Sequence, residues 1–285
     1  MSGRTLYVSD LDGTLLRSDE RTSAYTNSVI NRLTAQGMIF SYATARSYHT
    51  ARKVTAGLNT GIPLIVYNGA FVIDNLTGAH LLENFFDDAA DRLLDDLTAR
   101  GIYPIVYSFT DGAEKFSFVP ALATGGMQFF LGSREGDSRR NPVASADCLK
   151  AGRKFYITCM DTPEKLRPVY EAYRNQYHCV YAVDMYSGTQ WLEIMPQAAS
   201  KANAVRQLRT LLHCDRVVAF GDGQNDIDLF QAADECYAVQ NADAELKAYA
   251  TAVIPSNDED GVAQWLAAHG TVCLRRESDD RSEGD

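Results

Sequence analysis

The segment Leu6-Tyr7-Val8-Ser9-Asp10-Leu11-Asp12-Gly13-Thr14 joins a short apolar run to two aspartates, a glycine and a threonine. The apolar run predicts a buried β-strand. Asp10 and Asp12 lie two positions apart at the carboxyl end of this strand, so an extended backbone directs both side chains to the same side. Two adjacent carboxylates repel each other, which points to a cation or a metal-bound phosphate between them. A single Asp-Gly pair is also common in turns, so this segment alone does not establish a site.

Two more strands follow, each after a predicted helix. Apolar runs at 38–43 and 63–67 predict these strands. Nearly continuous apolar strands that alternate with helices are typical of a parallel sheet covered on both faces. Ligands bind just outside the carboxyl ends of such strands. The polar residues at these ends are Thr44 and Arg46 after the second strand, and Asn68 with Gly69 after the third.

The pattern changes after about residue 81, where alternating and aromatic-rich segments predict an antiparallel sheet. We therefore expect an α/β fold in which a Rossmann-like parallel-sheet core at 1–81 and 189–270 carries an inserted α+β domain at 82–188. The stretch 124–141 is predicted to be irregular, and the charged segment 271–285 to be a disordered tail. In the returning core, periodicity predicts a helix over 201–212 and a strand over 216–220.

Composition narrows the classes of function. The chain has 285 residues, 46% of them hydrophobic, and a formal net charge of −10, which argues against nucleic acid as the main partner. Its six cysteines include no C-x-x-C pair, as expected of free thiols in a reducing compartment. No run approaches the length of a membrane span. We expect a cytoplasmic monomer or homodimer with no nucleic-acid or membrane partner.

Polar groups at four strand or helix ends form the candidate site. Taken singly, each has an ordinary interpretation: a turn for Asp222-Gly223, a helix cap for Thr44, a solvated helix residue for Lys201. Taken together, they indicate one site, because four unrelated coincidences at such ends are improbable. The full set is Asp10 and Asp12, Thr44, Lys201, and Asp222 with Asn225 and Asp226.

This set, in this order, resembles the haloacid dehalogenase (HAD) superfamily of aspartyl phosphotransferases. The inserted domain resembles the type IIB cap of the Cof-type sugar-phosphatase branch. The Asn68-Gly69-Ala70 turn and the run Asn257–Val262 are similar to that branch as well. The resemblance extends to about residue 270, and it implies a phosphatase that acts on a small phosphorylated metabolite, either a sugar phosphate or a phosphorylated cofactor.

The resemblance also implies roles for the residues. Asp10 is the expected nucleophile, and Asp12 the general acid and base, a role for which we expect it to be less stably ionised than Asp10. Thr44 and Lys201 are expected to bind the transferring phosphoryl oxygens. The implied cofactor is Mg²⁺, a hard cation that prefers oxygen ligands.

The expected metal ligands are the Asp10 carboxylate, the backbone carbonyl of Asp12, and Asp222. Asp226 and Asn225 are expected to complete or orient that shell. The expected substrate contacts are Arg46, Asn68, Gly69 and Asn225, and the basic residues Arg139, Arg140, Lys150 and Lys154 of the inserted domain are candidate anion partners.

One departure from the family pattern concerns the second strand. The usual Thr-Gly-Arg is replaced by Thr44-Ala45-Arg46, and we expect the methyl group of Ala45 to alter the turn without removing the Thr44 hydroxyl. Two alternative functions remain open: a phosphomutase of the phosphomannomutase type, and a catalytically silent binding protein that retains the fold.

Overall fold

The computed structural model describes residues 3–59, 61–184 and 188–271. These residues form two compact units. The first unit comprises the described residues up to Val66, the segment Val72–Leu81, and those from Val205 onward. The second comprises Tyr67–Phe71 and Leu82–Ala204, apart from the three undescribed positions 185–187.

The described residues include a sheet of eight strands, whose central strand is the apolar run that precedes Asp10. Its spatial order is β14-β13-β12-β1-β2-β3-β4-β5. The pairs from β14 through β3 are parallel, as predicted for an α/β core. The strands are β1 Thr5–Ser9, β2 Ile39–Ala43, β3 Leu64–Val66, β4 Phe71–Ile73, β5 His80–Glu83, β12 Arg216–Gly221, β13 Glu235–Val239 and β14 Ala252–Ile254.

The central position of β1 follows from its composition. Leu6, Tyr7 and Val8 are buried on both faces of the sheet. Parallel pairing places Val8 opposite Ala219 of β12 on one side and Ser41 of β2 on the other. The carboxyl ends of these three strands therefore lie side by side.

Both units contain α-helices. Ser23 caps the first helix by accepting a hydrogen bond from the amide of Thr26, and Ser47 caps the second in the same way. The α-helices are α1 Ala24–Ala35, α2 Tyr48–Val54, α3 Ala90–Ala99, α4 Gly125–Gly132, α5 Pro163–Tyr173, α6 Lys201–Leu211, α7 Ile227–Ala232, α8 Ala244–Lys247 and α9 Gly261–His269.

The second unit contains a mainly antiparallel sheet, in the order β10-β11-β9-β6-β7-β8. Helices α3 and α5 supply Leu93, Leu97 and Leu166 to a hydrophobic core that also contains Ile157 and Leu192 from the sheet. Burying one face of an antiparallel sheet under helices is the arrangement that the alternating pattern predicts. The strands are β6 Ile105–Thr110, β7 Ala113–Phe118, β8 Arg140–Pro142, β9 Arg153–Asp161, β10 His178–Val183 and β11 Gln190–Met195.

One feature of the second unit differs from expectation. The stretch 124–141 is not wholly irregular, because it contains α4, which Thr124 caps through the amide of Met127. Its glycines disfavour a helix, but Met127 and Leu131 lie one turn apart and are both buried. The second unit extends to Ala204 and includes β11, which pairs with β9 and β10.

The predicted tail at 271–285 lies outside the described residues, except for Thr271. Among the helices of the described chain, none has the length and apolar character that crossing a membrane requires.

Replacing the buried Phe40 of β2 tests the central sheet. We expect Phe40→Ala to lower the free energy of unfolding by about 3–5 kcal/mol, because the cavity left in a fully packed strand cannot collapse. The matched control is Phe129→Ala, since Phe129 is 59% exposed and its loss should cost less than about 0.5 kcal/mol. Chemical denaturation measures both, and equal losses would contradict the assigned packing.

Candidate active site

The candidate site begins where β1 ends. The amide of Asp10 donates to the carbonyl oxygen of Phe220 at 2.9 Å, which continues the pairing of β1 with β12 by one residue. The chain then forms a single helical turn at Leu11–Leu15 that is interrupted at Asp12 and at Gly13. Asp10 is buried, so its carboxylate lies within the protein at the edge of the sheet.

Gly13 and Thr14 fit against Asp222, which follows β12. Gly13 has a φ of +72°, and a Cβ atom there would lie 2.2 Å from Oδ2 of Asp222. Only glycine combines this backbone conformation with so close an approach. The Thr14 hydroxyl donates to Oδ1 of Asp222 at 2.8 Å. These contacts join the β1 and β12 ends into one structure.

Asp226 organises the turn after β12. This residue is fully buried, and its Oδ2 accepts hydrogen bonds from the amides of Asp222 and Gly223 at 3.1 and 3.3 Å. The backbone oxygen of Asp222 accepts a further bond from the amide of Asp243 at 2.8 Å. The position of Asp222 is therefore fixed from several directions.

Asp10, Asp222 and Asp226 converge on one point. Each offers a carboxylate oxygen, and these atoms all lie within 4.8 Å of one another. Three carboxylates this close repel strongly in a partly buried setting, and a divalent cation with oxygen ligands relieves that repulsion. The donor set therefore fits a hard metal ion, which is the type of cofactor that the sequence predicts.

Asp12 does not join this acidic cluster. Its carboxylate forms a bidentate ion pair with Arg46, with nitrogen–oxygen distances of 2.5–3.1 Å. The same guanidinium also donates to Glu20 at 2.9 Å. Asp12 and Asp10 thus have different partners although they are two residues apart. The proton expected on Asp12 and the metal contact expected of its backbone carbonyl both stay predictions.

Thr44 lies at the end of β2 and is fully buried. Its amide donates to Ile65, and its hydroxyl accepts a 3.1 Å hydrogen bond from the amide of Arg46. Ala45, between them, is exposed and does not have a positive φ. The methyl group that replaces the usual glycine therefore points to solvent, and the turn tolerates it.

Lys201, Asn68 and Gly69 belong to the second unit. Lys201 is the first residue of α6, and only 1% of its surface is exposed. Gly69 has a φ of +98°, and a Cβ atom there would lie 2.3 Å from the carbonyl oxygen of Ser200. The turn that contains Asn68 therefore packs closely against the residue before Lys201. Asn225 lies in the first unit, where its side chain is exposed in the turn after β12.

The four basic residues proposed as anion partners have other contacts within the second unit. Three of them form ion pairs with carboxylates at 2.5–2.9 Å, so binding an anion would require breaking these pairs. The structure does not support that expectation. The contacts are Arg139 with Glu114 and Asp137, Lys150 with Asp95, Lys154 with Asp91, and Arg140 with the carbonyl oxygen of Leu131.

Several residues that hold the site residues in place are not predicted by sequence patterns. Asn241 donates to the carbonyl oxygen of Gly13 at 2.7 Å, and its own Oδ1 accepts from the amide of Asn257 at 3.1 Å. In the second unit, Tyr156 and Glu193 contact Asn68. In the sequence, Glu193 is a single acidic residue between apolar residues of a strand. That pattern alone predicts a solvent-exposed side chain.

Comparison of the sequence with known proteins identifies the family. The model of the haloacid dehalogenase-like hydrolase family matches residues 7–266. The chain belongs to this family. Its relatives include the 5-amino-6-(5-phospho-D-ribitylamino)uracil phosphatase YwtE of Bacillus subtilis, 28% identical over 278 residues, with 90% of this chain and 95% of that protein covered.

Solved structures show the same fold. A haloacid dehalogenase-like hydrolase from Bacteroides thetaiotaomicron superposes with a TM-score of 0.74 at 22% identity, over 93% of this chain and 99% of the other. The HAD subclass IIB sugar phosphatase BT4131 superposes with a TM-score of 0.72 at 18% identity, over 94% and 99%. The predicted family and α/β fold are confirmed, and the chain is a HAD-type phosphatase.

Replacing Thr14 tests its support of Asp222. We expect Thr14→Val to weaken divalent-cation binding by about 10–100-fold, as is typical when a hydrogen bond to a metal ligand is removed. Thr14→Ser, which keeps the hydroxyl, should bind almost as the wild type does. Isothermal titration with Mn²⁺ measures both affinities. Equal affinities in the two variants would show that the hydroxyl does not support the site.

Proposed function

We propose that this phosphatase hydrolyses a small phosphorylated metabolite through an aspartyl-phosphate on Asp10 and depends on Mg²⁺. The observation that carries the proposal is the convergence of Asp10, Asp222 and Asp226, with Asp12 held apart by Arg46. One carboxylate is thereby available for attack, and a second, two residues away, is available for proton transfer.

The two carboxyl groups have complementary roles. Asp10 forms a bond to phosphorus while the bond to the leaving oxygen breaks, and Asp12 gives its proton to that oxygen. A water molecule then attacks the phosphorus of the aspartyl-phosphate, the bond between that phosphorus and the Asp10 oxygen breaks, and the water gives a proton to Asp12. Inorganic phosphate leaves, and both carboxyl groups return to their first state.

The residues that would hold Mg²⁺ are Asp10, Asp222 and Asp226, with the backbone carbonyl of Asp12. The ion supplies positive charge that offsets the repulsion between an anionic nucleophile and a phosphate monoester. Asp226 holds the backbone of Asp222 whether or not the ion is bound, because its hydrogen bonds with the amides of Asp222 and Gly223 do not depend on the ion.

The remaining predicted residues bind and orient the substrate in this proposal. Thr44 and Lys201 donate to the phosphoryl oxygens. Arg46, Asn68, Gly69 and Asn225 are the proposed substrate contacts. The Bacillus subtilis relative is named for a phosphorylated ribitylaminouracil, so this compound belongs on a test panel beside sugar phosphates and phosphorylated cofactors.

Replacing the nucleophile tests the covalent step. We expect Asp10→Asn to reduce kcat for p-nitrophenyl phosphate by at least about 1,000-fold, because an amide oxygen does not form the aspartyl-phosphate. Asp19→Asn is the control, since Asp19 is exposed on the following loop and should leave turnover unchanged. Turnover that survives in Asp10→Asn would remove Asp10 as the nucleophile.

Metal removal tests the cofactor. Chelation with EDTA should abolish turnover, and Mg²⁺ should restore it. Asp222→Asn should need at least about ten-fold more Mg²⁺ for half-maximal rate, because an amide is a weaker ligand than a carboxylate. A chelated enzyme that keeps its full rate would contradict metal dependence.

A further inference from the structure

Glu193 is an acidic residue that the proposed mechanism does not use. It lies on β11 between Leu192 and Ile194, whose side chains are buried in the hydrophobic core of the second unit. Because side chains alternate along a strand, Glu193 points to the opposite face of the sheet. Tyr156 of β9 is on that face as well, out of phase with the core residue Ile157.

A hydrogen-bonded cluster surrounds Glu193. The amide nitrogen of Asn68 donates to the hydroxyl oxygen of Tyr156 at 3.0 Å and lies 3.5 Å from Oε2 of Glu193. The Tyr156 hydroxyl donates to the Glu193 carboxylate, and the Lys201 ammonium is near enough to attract that carboxylate. Asn68, Tyr156 and Lys201 are all more than nine-tenths buried. The same carboxylate thus interacts with Lys201 and Asn68, to which the proposed function assigns roles in catalysis and substrate binding.

The backbone restricts Asn68 further. Tyr67 and Asn68 have φ values of +52° and +51°, a conformation that side-chain-bearing residues rarely adopt. The contact of Gly69 with Ser200 holds this turn against the start of α6. With its nitrogen held by Tyr156 and Glu193, the buried Oδ1 atom of Asn68 has no hydrogen-bond partner among the described residues and is available as an acceptor.

Four titratable groups influence Glu193. Burial raises the pKa of Glu193 to about 7; the hydrogen bond from Tyr156 and the charge of Lys201 lower it, and Asp184 raises it. Tyr107 interacts with the same carboxylate. Burial, together with the adjacent Glu193, raises the pKa of Tyr156 well above its ordinary value, so this hydroxyl remains a donor. The charge of Glu193 therefore changes near neutral pH.

We propose that Glu193 is a positioning residue, whose ionised carboxylate holds the Lys201 ammonium and the Asn68 amide in the orientation that phosphoryl transfer requires. The catalytic part of this inference rests on the proposed roles of Lys201 and Asn68. Protonation of Glu193 removes the charge that attracts Lys201. The productive form of the enzyme is then the deprotonated one, and kcat/KM rises as the pH increases through about 7.

The coupling of Glu193 to Lys201 is measurable without turnover. NMR titration of protein labelled at the glutamate carboxyl and lysine ε carbons reports both groups, and the chain has seven lysines. Glu193→Gln and Lys201→Arg assign the two signals. We expect the Glu193 carboxyl signal to titrate near pH 7 and the Lys201 signal to move with the same midpoint. In Glu193→Gln that movement of Lys201 should disappear; a Lys201 signal that moves as in the wild type would overturn the proposal.

The pH profile of turnover tests the consequence for catalysis. With p-nitrophenyl phosphate and Mg²⁺, we expect wild-type kcat/KM to rise about five-fold or more from pH 6 to pH 8. Glu193→Gln should lose this rise and be about five-fold slower at pH 8, mainly in kcat. Glu171→Gln is the control: it removes a half-exposed glutamate of α5 in the same unit and should keep the wild-type profile.

The outcomes separate the two proposals. A wild-type rise that persists in Glu193→Gln excludes the positioning role, even if the rate falls. If Glu193→Gln does not fold, Glu193→Asp keeps the charge and should retain the rising limb. Absence of wild-type turnover on every phosphate tested would overturn the proposed function, while the NMR titration would still decide whether Glu193 holds Lys201.

Discussion

Electrostatic repulsion among Asp10, Asp222 and Asp226 is the constraint on which the rest of the first unit depends. Three carboxylate oxygens within 4.8 Å destabilise a fold unless something compensates for them. The protein holds them there with the β1–β12 register, the close fit of Gly13 to Asp222, and hydrogen bonds to both Asp222 and Asp226. The same negative charge that opposes folding attracts a cation. A cluster of three carboxylates is therefore expected where a metal ion binds.

The separation of Asp10 from Asp12 follows from the same local geometry. The turn after β1 is interrupted at Asp12 and Gly13, so the two side chains do not continue along one extended strand. Asp12 is held by Arg46, a residue supplied by the end of β2. The carboxyl groups of Asp10 and Asp12 thus have different surroundings. A nucleophile and a proton donor need such a difference, because their pKa values must differ.

Much of this arrangement could be predicted from the sequence. The apolar runs before Asp10, Thr44 and Asp222 identify parallel strands, and parallel strands bring their carboxyl ends to one edge of a sheet. The sequence does not predict helix α4, because its glycines disfavour a helix. The partners of Arg139 and the surroundings of Glu193 depend on contacts between distant segments, which a single sequence does not reveal.

Anomalous diffraction from crystals soaked with Mn²⁺ tests directly whether Asp10 and Asp222 bind one cation. We expect one strong anomalous peak within coordination distance, about 2.0–2.6 Å, of carboxylate oxygens from both Asp10 and Asp222. A protein whose only bound Mn²⁺ lies away from these two residues would contradict it.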